Sequence, residues 1–319
     1  MNIIPKIPRI NNSSLNLMKC TQDIYGKLRR YLKLNPDDVN IVNLKIDSPE
    51  GRIPIRIYYP DTDMYVQAEE ISGNNQGCLI FLHGGGFVIG SIETHENLCL
   101  KLARETGRVI ISVDYKLAPK YIYPAAIRDC YCVYYYVCKN HKALKLNIND
   151  IAIGGASAGG NIALGVMEMC LRRNKIGKLP SALVLQYPVT DIESILMEEY
   201  TDSLVENAQG HTLTTEALVE MLKYYIPYFE KDAGIEYPHL LGNPYLSPVK
   251  SELIFQYPKV IMISAGKDPL RDDNRMFAEV LEQNGVEFEH HEYVEMPHAF
   301  MSFDFKETDQ AFEKIKDFL

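Results

Sequence analysis

The chain has 319 residues, of which 46% are hydrophobic and 24% are charged, so it can fold as one large domain or two modest ones. This composition excludes a disordered, collagen-like or coiled-coil protein. The net charge is −9, and because nucleic acids and anionic membranes attract clustered Lys and Arg, we expect neither as a partner. No apolar run reaches the roughly 18 residues of a membrane span, so we expect no stable membrane insertion. The 7 Cys are scattered along the chain, which is typical of a reduced protein, and we predict a cytoplasmic location.

The first part of the chain predicts one helix and a pair of strands. Residues 14–34 space their apolar side chains as a helix does. Segments 42–47 and 53–59 alternate apolar and polar residues on either side of a turn at 48–51, which is typical of adjoining strands. Residues 61–77 are polar and predict a loop.

From residue 78 onward, short apolar runs alternate with helical patterns. Continuous apolar runs of this length are typical of strands that are buried on both faces of a sheet. The alternation therefore predicts an α/β protein with a mostly parallel sheet flanked by helices. The predicted strands are 78–82, 109–113, 151–153 and 182–186, and the predicted helices are 96–106, 124–139 and 158–173.

The alternation stops after Pro188 and resumes at residue 259. The intervening segment is rich in proline, contains a helical pattern at 214–228, and offers no convincing strand. We therefore predict a core formed by 42–190 and 249–319, a cap insertion over 191–248, and an N-terminal cap segment over 1–41. The resumed elements are strands at 259–264 and 286–293 and helices at 271–284 and 305–319.

The most informative local motif is Gly155-Ala156-Ser157-Ala158-Gly159, between a predicted strand and a predicted helix. A nucleophile on such a turn needs small residues on either side because the backbone is strained and crowded there. The helix N-terminus also directs backbone N–H groups toward the hydroxyl. The alternative is a glycine-rich turn of a nucleotide-binding fold, but the segment lacks both G-x-G-x-x-G spacing and a P-loop lysine. We therefore predict Ser157 as a nucleophile.

A serine nucleophile needs a base, and His298 is the best placed of the 8 His. It follows the last predicted strand, so it should lie at the same carboxyl edge of the sheet as Ser157. His290 and His291 are adjacent in that strand and point to opposite faces, so we predict no metal site there.

The base needs a carboxylate that fixes its tautomer, and Asp268 follows the preceding predicted strand. The order Ser, Asp, His along the chain is the order expected of an α/β-hydrolase. Asp272 and Asp273 are the local competitors, and their place in the first turn of a helix explains them as partners of the helix dipole.

A glycine-rich segment, His83-Gly84-Gly85-Gly86-Phe87, follows the predicted strand 78–82. Acyl transfer needs N–H donors for a developing oxyanion, and we expect them from Gly85, Gly86 and Ala158. The alternative is a simple flexible turn. Phe87 and Tyr187 are predicted walls of the substrate pocket, with core packing as an equal alternative.

Together these segments resemble the hormone-sensitive-lipase-like carboxylesterase family of the α/β-hydrolase fold, from about residue 42 to the C-terminus. The resemblance implies an eight-stranded sheet, a helical cap, Ser157 as nucleophile, Asp268 and His298 as its partners, and a glycine oxyanion hole. Two departures are Ala156, where Asp or Thr is usual, and Lys116 and Lys120, where Arg and Glu are usual. The matching motifs are HGGGFVIG (83–90), DYKLAPKYIYPAAIRD (114–129), GGASAGGN (154–161), Tyr187-Pro188, DPLRDD (268–273) and PHAF (297–300).

The expected activity is that of a serine carboxylesterase, which hydrolyses short- to medium-chain carboxylic esters through an acyl-enzyme intermediate. The substrate is a small-molecule ester, and neither a metal nor an organic cofactor is expected. The alternatives are a non-catalytic small-molecule receptor on the same fold and an amidase- or lactonase-type hydrolase, because fold and nucleophile do not separate these. The edge strand 286–293 could also pair two copies into a homodimer.

Overall fold

The computed structural model describes residues 39–60, 76–173, 175, 177–210, 212–229 and 240–319. These residues form an eight-stranded sheet in the order β1-β2-β4-β3-β5-β6-β7-β8. Strand β2 is antiparallel to both of its neighbours, and all other pairings are parallel. The predicted α/β class is confirmed. The strands are β1 (Asn40–Ser48), β2 (Gly51–Tyr59), β3 (Gln76–Leu82), β4 (Val109–Val113), β5 (Leu146–Ala156), β6 (Ala182–Gln186), β7 (Lys259–Lys267) and β8 (Phe288–Pro297).

Helices cover both faces of the sheet, which is why its central strands are apolar on both sides. On β3, Ile80 packs in one core, while Leu79 and Phe81 pack in the other. The helices are α1 (Glu96–Thr106), α2 (Ala125–Asn140), α3 (Ala158–Arg173), α4 (Ile192–Leu196), α5 (Asp202–Glu206), α6 (Thr215–Tyr225), α7 (Arg271–Gln283) and α8 (Lys306–Phe318). The cores place α1 and α8 on one face and α2, α3 and α7 on the other.

Strand β5 is longer than its sequence pattern predicts. It begins at Leu146, opposite Gln76 of β3, rather than at residue 151. Of the intervening residues 147–150, only Ile148 is apolar, and all four are at least partly exposed, so they lack the continuous apolar signature of a buried strand. Strand β8 is likewise displaced by a few residues from the predicted 286–293.

The cap insertion contributes three short helices, α4 to α6, and no strand among its described residues. The N-terminal boundary differs from the prediction, because residues 40 and 41 already belong to β1. The predicted helix over 14–34 and residues 1–38 of the predicted N-terminal cap segment lie outside the described residues, as does most of the predicted loop at 61–77. In the described ranges, every helix is too short or too polar to cross a membrane.

Candidate active site

Ser157 lies at the sharp turn between β5 and α3, where its backbone adopts φ 55°. Its N–H donates to the carbonyl of Gln186 at 2.8 Å, which ties the turn to the end of β6. A Cβ on either Gly155 or Gly159 would overlap the backbone around Leu82, so both positions require glycine. The crowding explains why the motif has glycines on both sides of the serine.

The structure brings Ser157, His298 and Asp268 together at the carboxyl edge of the sheet. His298 Nε2 lies 3.0 Å from Ser157 Oγ, and His298 Nδ1 lies 2.7 Å from Asp268 Oδ2. The second oxygen of Asp268 accepts from the N–H of Leu270 at 2.9 Å. All three side chains are buried. The carboxylate therefore holds the imidazole so that its other nitrogen faces the serine hydroxyl.

The two competing carboxylates bind backbone groups elsewhere. Asp272 accepts from the N–H of Ser203 at 2.8 Å, and Asp273 accepts from the N–H of Thr190 at 2.6 Å. Burial away from water raises the pKa of Asp273 to about 7, and the Asp191 carboxylate adds to the effect. Both residues lie in the first turn of α7, as predicted, and they also connect that helix to neighbouring loops.

The glycine-rich segment after β3 folds into a tight turn beside Ser157. Gly85 and Gly86 have φ values of 124° and 59°, and the carbonyl of Gly85 accepts from Val88 and Ile89 at 3.1 and 3.0 Å. Within the part of the chain that the structure describes, no backbone carbonyl accepts from the N–H groups of Gly85, Gly86 or Ala158. These groups are the ones that an oxyanion would need.

Two buried imidazoles hold the peptide groups of Gly84 behind this turn. His83 Nδ1 donates to the Gly84 carbonyl at 2.9 Å, and the Gly84 N–H donates to His95 Nε2 at 3.3 Å. Burial lowers the pKa of His83 to about 4 and that of His95 to about 3, so both rings are neutral at pH 7. No sequence pattern predicts the role of His95, which precedes a helix eleven residues after Gly84.

The predicted wall residues are each packed against another aromatic ring. Phe87 stacks on Tyr225 of α6 with ring centroids 4.0 Å apart and 3° between planes. Tyr187 meets the His298 ring edge-on at 4.9 Å. Both side chains are only 1% exposed, as core residues are, and their contact with substrate stays a prediction. Met221, also on α6, lies directly over Gly86 and was missed by the sequence pattern.

The departures from the family pattern have local substitutes. Ala156 is buried in the core, and the start of α3 is held by Asn161, whose Nδ2 donates to the carbonyls of Val189 and Leu246 at 2.9 Å each. Lys116 forms an ion pair with the buried Asp129 at 2.7 Å.

Comparison with known proteins agrees with this geometry. A family model described as the alpha/beta hydrolase fold matches residues 79–302. The esterase LipI of Mycobacterium tuberculosis is 32% identical over 269 residues, which cover 83% of this chain and 76% of LipI. An arylesterase of Saccharolobus solfataricus is 32% identical over 245 residues, which cover 76% of this chain and 71% of the relative.

Solved structures of esterases share the fold. A hyperthermophilic esterase from Pyrobaculum calidifontis superposes with a TM-score of 0.81 and 27% identity, covering 95% of this chain and 92% of the other. EstE1, a carboxylesterase cloned from a metagenomic library, superposes with a TM-score of 0.80 and 28% identity, covering 95% of each chain. The chain therefore belongs to the hormone-sensitive-lipase-like carboxylesterase family of the α/β-hydrolase fold.

Proposed function

We propose that this chain is a serine carboxylesterase that hydrolyses short- to medium-chain esters, with Ser157 as nucleophile, His298 as base and Asp268 as the acid that orients the base. The observation that carries the proposal is the continuous path of hydrogen bonds from Ser157 Oγ to His298 Nε2, at 3.0 Å, and from His298 Nδ1 to Asp268 Oδ2, at 2.7 Å. A serine hydroxyl is a weak nucleophile until such a base removes its proton.

The geometry supports two successive acyl transfers. Ser157 Oγ attacks the ester carbonyl carbon while His298 Nε2 takes its proton, and Asp268 stabilises the imidazolium. The imidazolium then gives the proton to the leaving alcohol, and an acyl-enzyme remains on Ser157. Water attacks this second ester with the same imidazole as base, which releases the carboxylic acid and restores the hydroxyl.

The oxyanion of each tetrahedral intermediate would accept hydrogen bonds from the N–H groups of Gly85, Gly86 and Ala158. Loss of one such donor typically costs about 3–4 kcal/mol of transition-state stabilisation. The glycine turn is held from behind by His83 and His95, so the donors need little rearrangement when the charge develops.

The preference for short acyl groups is supported by named relatives. An ethyl acetate hydrolase of Pseudomonas putida is 28% identical over 247 residues, and an acetyl esterase of Salmonella typhi is 27% identical over 277 residues. A non-catalytic receptor would not need a serine, an imidazole and a carboxylate in hydrogen-bonding contact. No contact in the described residues favours an amide or a lactone over an ester.

The test is turnover of p-nitrophenyl esters from acetyl to decanoyl by wild type and Ser157→Ala. We expect the highest kcat/KM for short or medium chains and a loss of at least about 10,000-fold in the variant. A serine-directed phosphonate should label Ser157 in the wild type. Retained turnover in Ser157→Ala, or a label on another residue, would remove Ser157 from the mechanism.

We also propose a cytoplasmic protein that pairs through β8 into a homodimer. The described cysteines are unbridged and mostly buried, which suits a reducing compartment. Among the described residues, strand β8 pairs with β7 on one side only, and its Val294 is 64% exposed, which supports pairing of its outer edge with another strand.

A further inference from the structure

A short segment of the cap contacts the loop that carries Asp268. Ser203 Oγ donates to the carbonyl of Pro269 at 2.7 Å, and it accepts from the N–H of Asp272 at 3.1 Å. In return, the N–H of Ser203 donates to Asp272 Oδ2 at 2.8 Å. Ser203 is fully buried, so its hydrogen bond to Pro269 is shielded from water, and its two hydrogen bonds with Asp272 are partly shielded.

The same segment also reaches Asp268 itself. Asn207 Nδ2 donates to the main-chain carbonyl of Asp268 at 3.2 Å. At the rim, Glu206 pairs with Arg271 at 2.9 Å, where exposure to water makes the ion pair weak. The acid loop is therefore held from the cap side at successive residues.

A second contact joins the cap to the base. Thr212 Oγ1 donates to the main-chain carbonyl of His298 at 2.6 Å. The next residue, Ala299, has φ 62°, so the peptide after His298 lies in a conformation that L-residues rarely adopt. The threonine hydroxyl thus fixes the orientation of the His298 carbonyl, which directly precedes a strained residue.

The cap segment that includes Ser203 and Thr212 is itself hydrogen-bonded to the first residue of α6. This helix covers the glycine turn at residues 84–86, which we call the oxyanion turn. Thr215 Oγ1 donates to the carbonyl of Leu204 at 2.6 Å, and the Thr215 N–H donates to the carbonyl of Ala208 at 3.2 Å. Thr215 begins α6, which packs on the oxyanion turn through Met221 and Tyr225. The cap segment and α6 together therefore contact the loop of Asp268, the loop of His298 and the oxyanion turn.

We propose that Ser203 and Thr212 are positioning residues that hold Asp268 and His298 in line with Ser157. The proposal rests on the proposed function. Its physical basis is that displacing a reacting group by about 1 Å can cost about 100-fold in rate. On this view the cap acts on kcat through the loops of the acid and the base, in addition to any contact with substrate.

The first test is Thr212→Val, which removes the hydroxyl and keeps the side-chain volume. We expect kcat for p-nitrophenyl acetate to fall about tenfold while KM changes less than about twofold. Thr212→Ser restores the hydroxyl and should return kcat to within about twofold of wild type. A change in KM alone would mean that Thr212 acts on substrate binding, and the proposal would be wrong.

The second test compares two serines on neighbouring cap helices. Ser203→Ala should lower kcat in the same way as Thr212→Val. Ser194→Ala is the matched control, because among the described residues Ser194 Oγ bonds only to the Asp191 carboxylate, within its own helix cap and away from both catalytic loops. Equal kcat in the two variants, at equal thermal stability, would overturn the proposal.

A third readout is independent of turnover. The proton between His298 Nδ1 and Asp268 Oδ2 should give a downfield NMR signal that disappears in His298→Ala. We expect Thr212→Val and Ser203→Ala to broaden or shift this signal, whereas Thr212→Ser and Ser194→Ala leave it unchanged. An inactive wild type would refute the proposed function and leave this signal to decide the positioning role; an unperturbed signal in Thr212→Val and Ser203→Ala would refute that role.

Discussion

Backbone strain is concentrated in the residues that surround the candidate nucleophile. Phe87, Ser157, Tyr187 and Ala299 all have φ between 39° and 66°, although each carries a side chain. Such conformations cost roughly 1–2 kcal/mol each, and they persist only where the surrounding structure enforces them. Ser157 presents the hydroxyl, Phe87 follows the glycine turn, Ala299 follows the imidazole of His298, and Tyr187 packs against that imidazole.

The strain at Ser157 predicts an inverted preference between two inactive variants. Glycine adopts a positive φ without a steric cost, so Ser157→Gly should be more stable than Ser157→Ala by about 1 kcal/mol. Denaturant unfolding monitored by circular dichroism measures the difference. At Ser194, in the helix α4, the order should reverse, because glycine costs about 1 kcal/mol relative to alanine there. A Ser157→Ala variant as stable as Ser157→Gly would contradict the strain.

At the level of elements, the sequence predicted the strands and turns that depend on residues close together in the chain. Short apolar runs located the central strands, and glycines located the turns around Ser157 and Gly85 because crowding and positive φ demand them. The candidate acid and base could be predicted since parallel strands end at one edge of the sheet. Contacts made through the cap could not be predicted, because Thr212 and Ser203 occur in no pattern that relates them to distant loops.

The contact between α6 and the oxyanion turn predicts the effect of a methyl group at Gly86. A Cβ there would lie within 3.0 Å of three atoms of the Met221 side chain, so Gly86→Ala must displace that side chain, the helix or the turn. We expect kcat to fall about 10- to 100-fold, since the turn supplies a proposed oxyanion donor. Kinetics of p-nitrophenyl acetate hydrolysis measures the loss.

Two further variants separate crowding from backbone strain. Gly107 has a similar φ of 65° and no atom within 4 Å of its would-be Cβ, so Gly107→Ala should lose about 1 kcal/mol of stability and keep full activity. Met221→Ala should partly restore kcat to Gly86→Ala, because it removes the atoms that the new methyl group meets. No restoration would mean that backbone strain, rather than Met221, causes the loss.

For the whole molecule, buried titratable groups set the pH range of greatest stability. His83 and His95 have folded pKa values of about 4 and 3, below the ordinary 6.5, so the unfolded chain binds more protons and stability falls as the pH drops from 6.5. Asp273 has the opposite sign: its folded pKa of about 7 lies above the ordinary 3.8, so its contribution is lost as the pH rises toward 7. Together these groups favour maximal stability in the mildly acidic to neutral range.

This balance predicts the behaviour of Asp273→Asn. The variant has no carboxylate to deprotonate, so its free energy of unfolding relative to wild type should increase by at least about 1 kcal/mol between pH 4.5 and pH 7.5. Urea unfolding at several pH values measures the difference. Asp272→Asn is the control, because hydrogen bonds from Arg271 lower the pKa of that carboxyl and it is already ionised across this range. A pH-independent difference for Asp273→Asn would contradict the raised pKa.

The face-to-face rings of Phe87 and Tyr225 have a consequence for how an ester enters. Phe87 directly follows the three glycines of the oxyanion turn. A movement of α6 away from this turn would therefore separate the two rings and displace the turn at the same time. Such an opening would let an ester enter, but it would also disturb the N–H groups proposed to stabilise the oxyanion. Substrate entry and hydrolysis would then alternate. An ester would enter while the two rings are apart, and it would be cleaved only after they stack again.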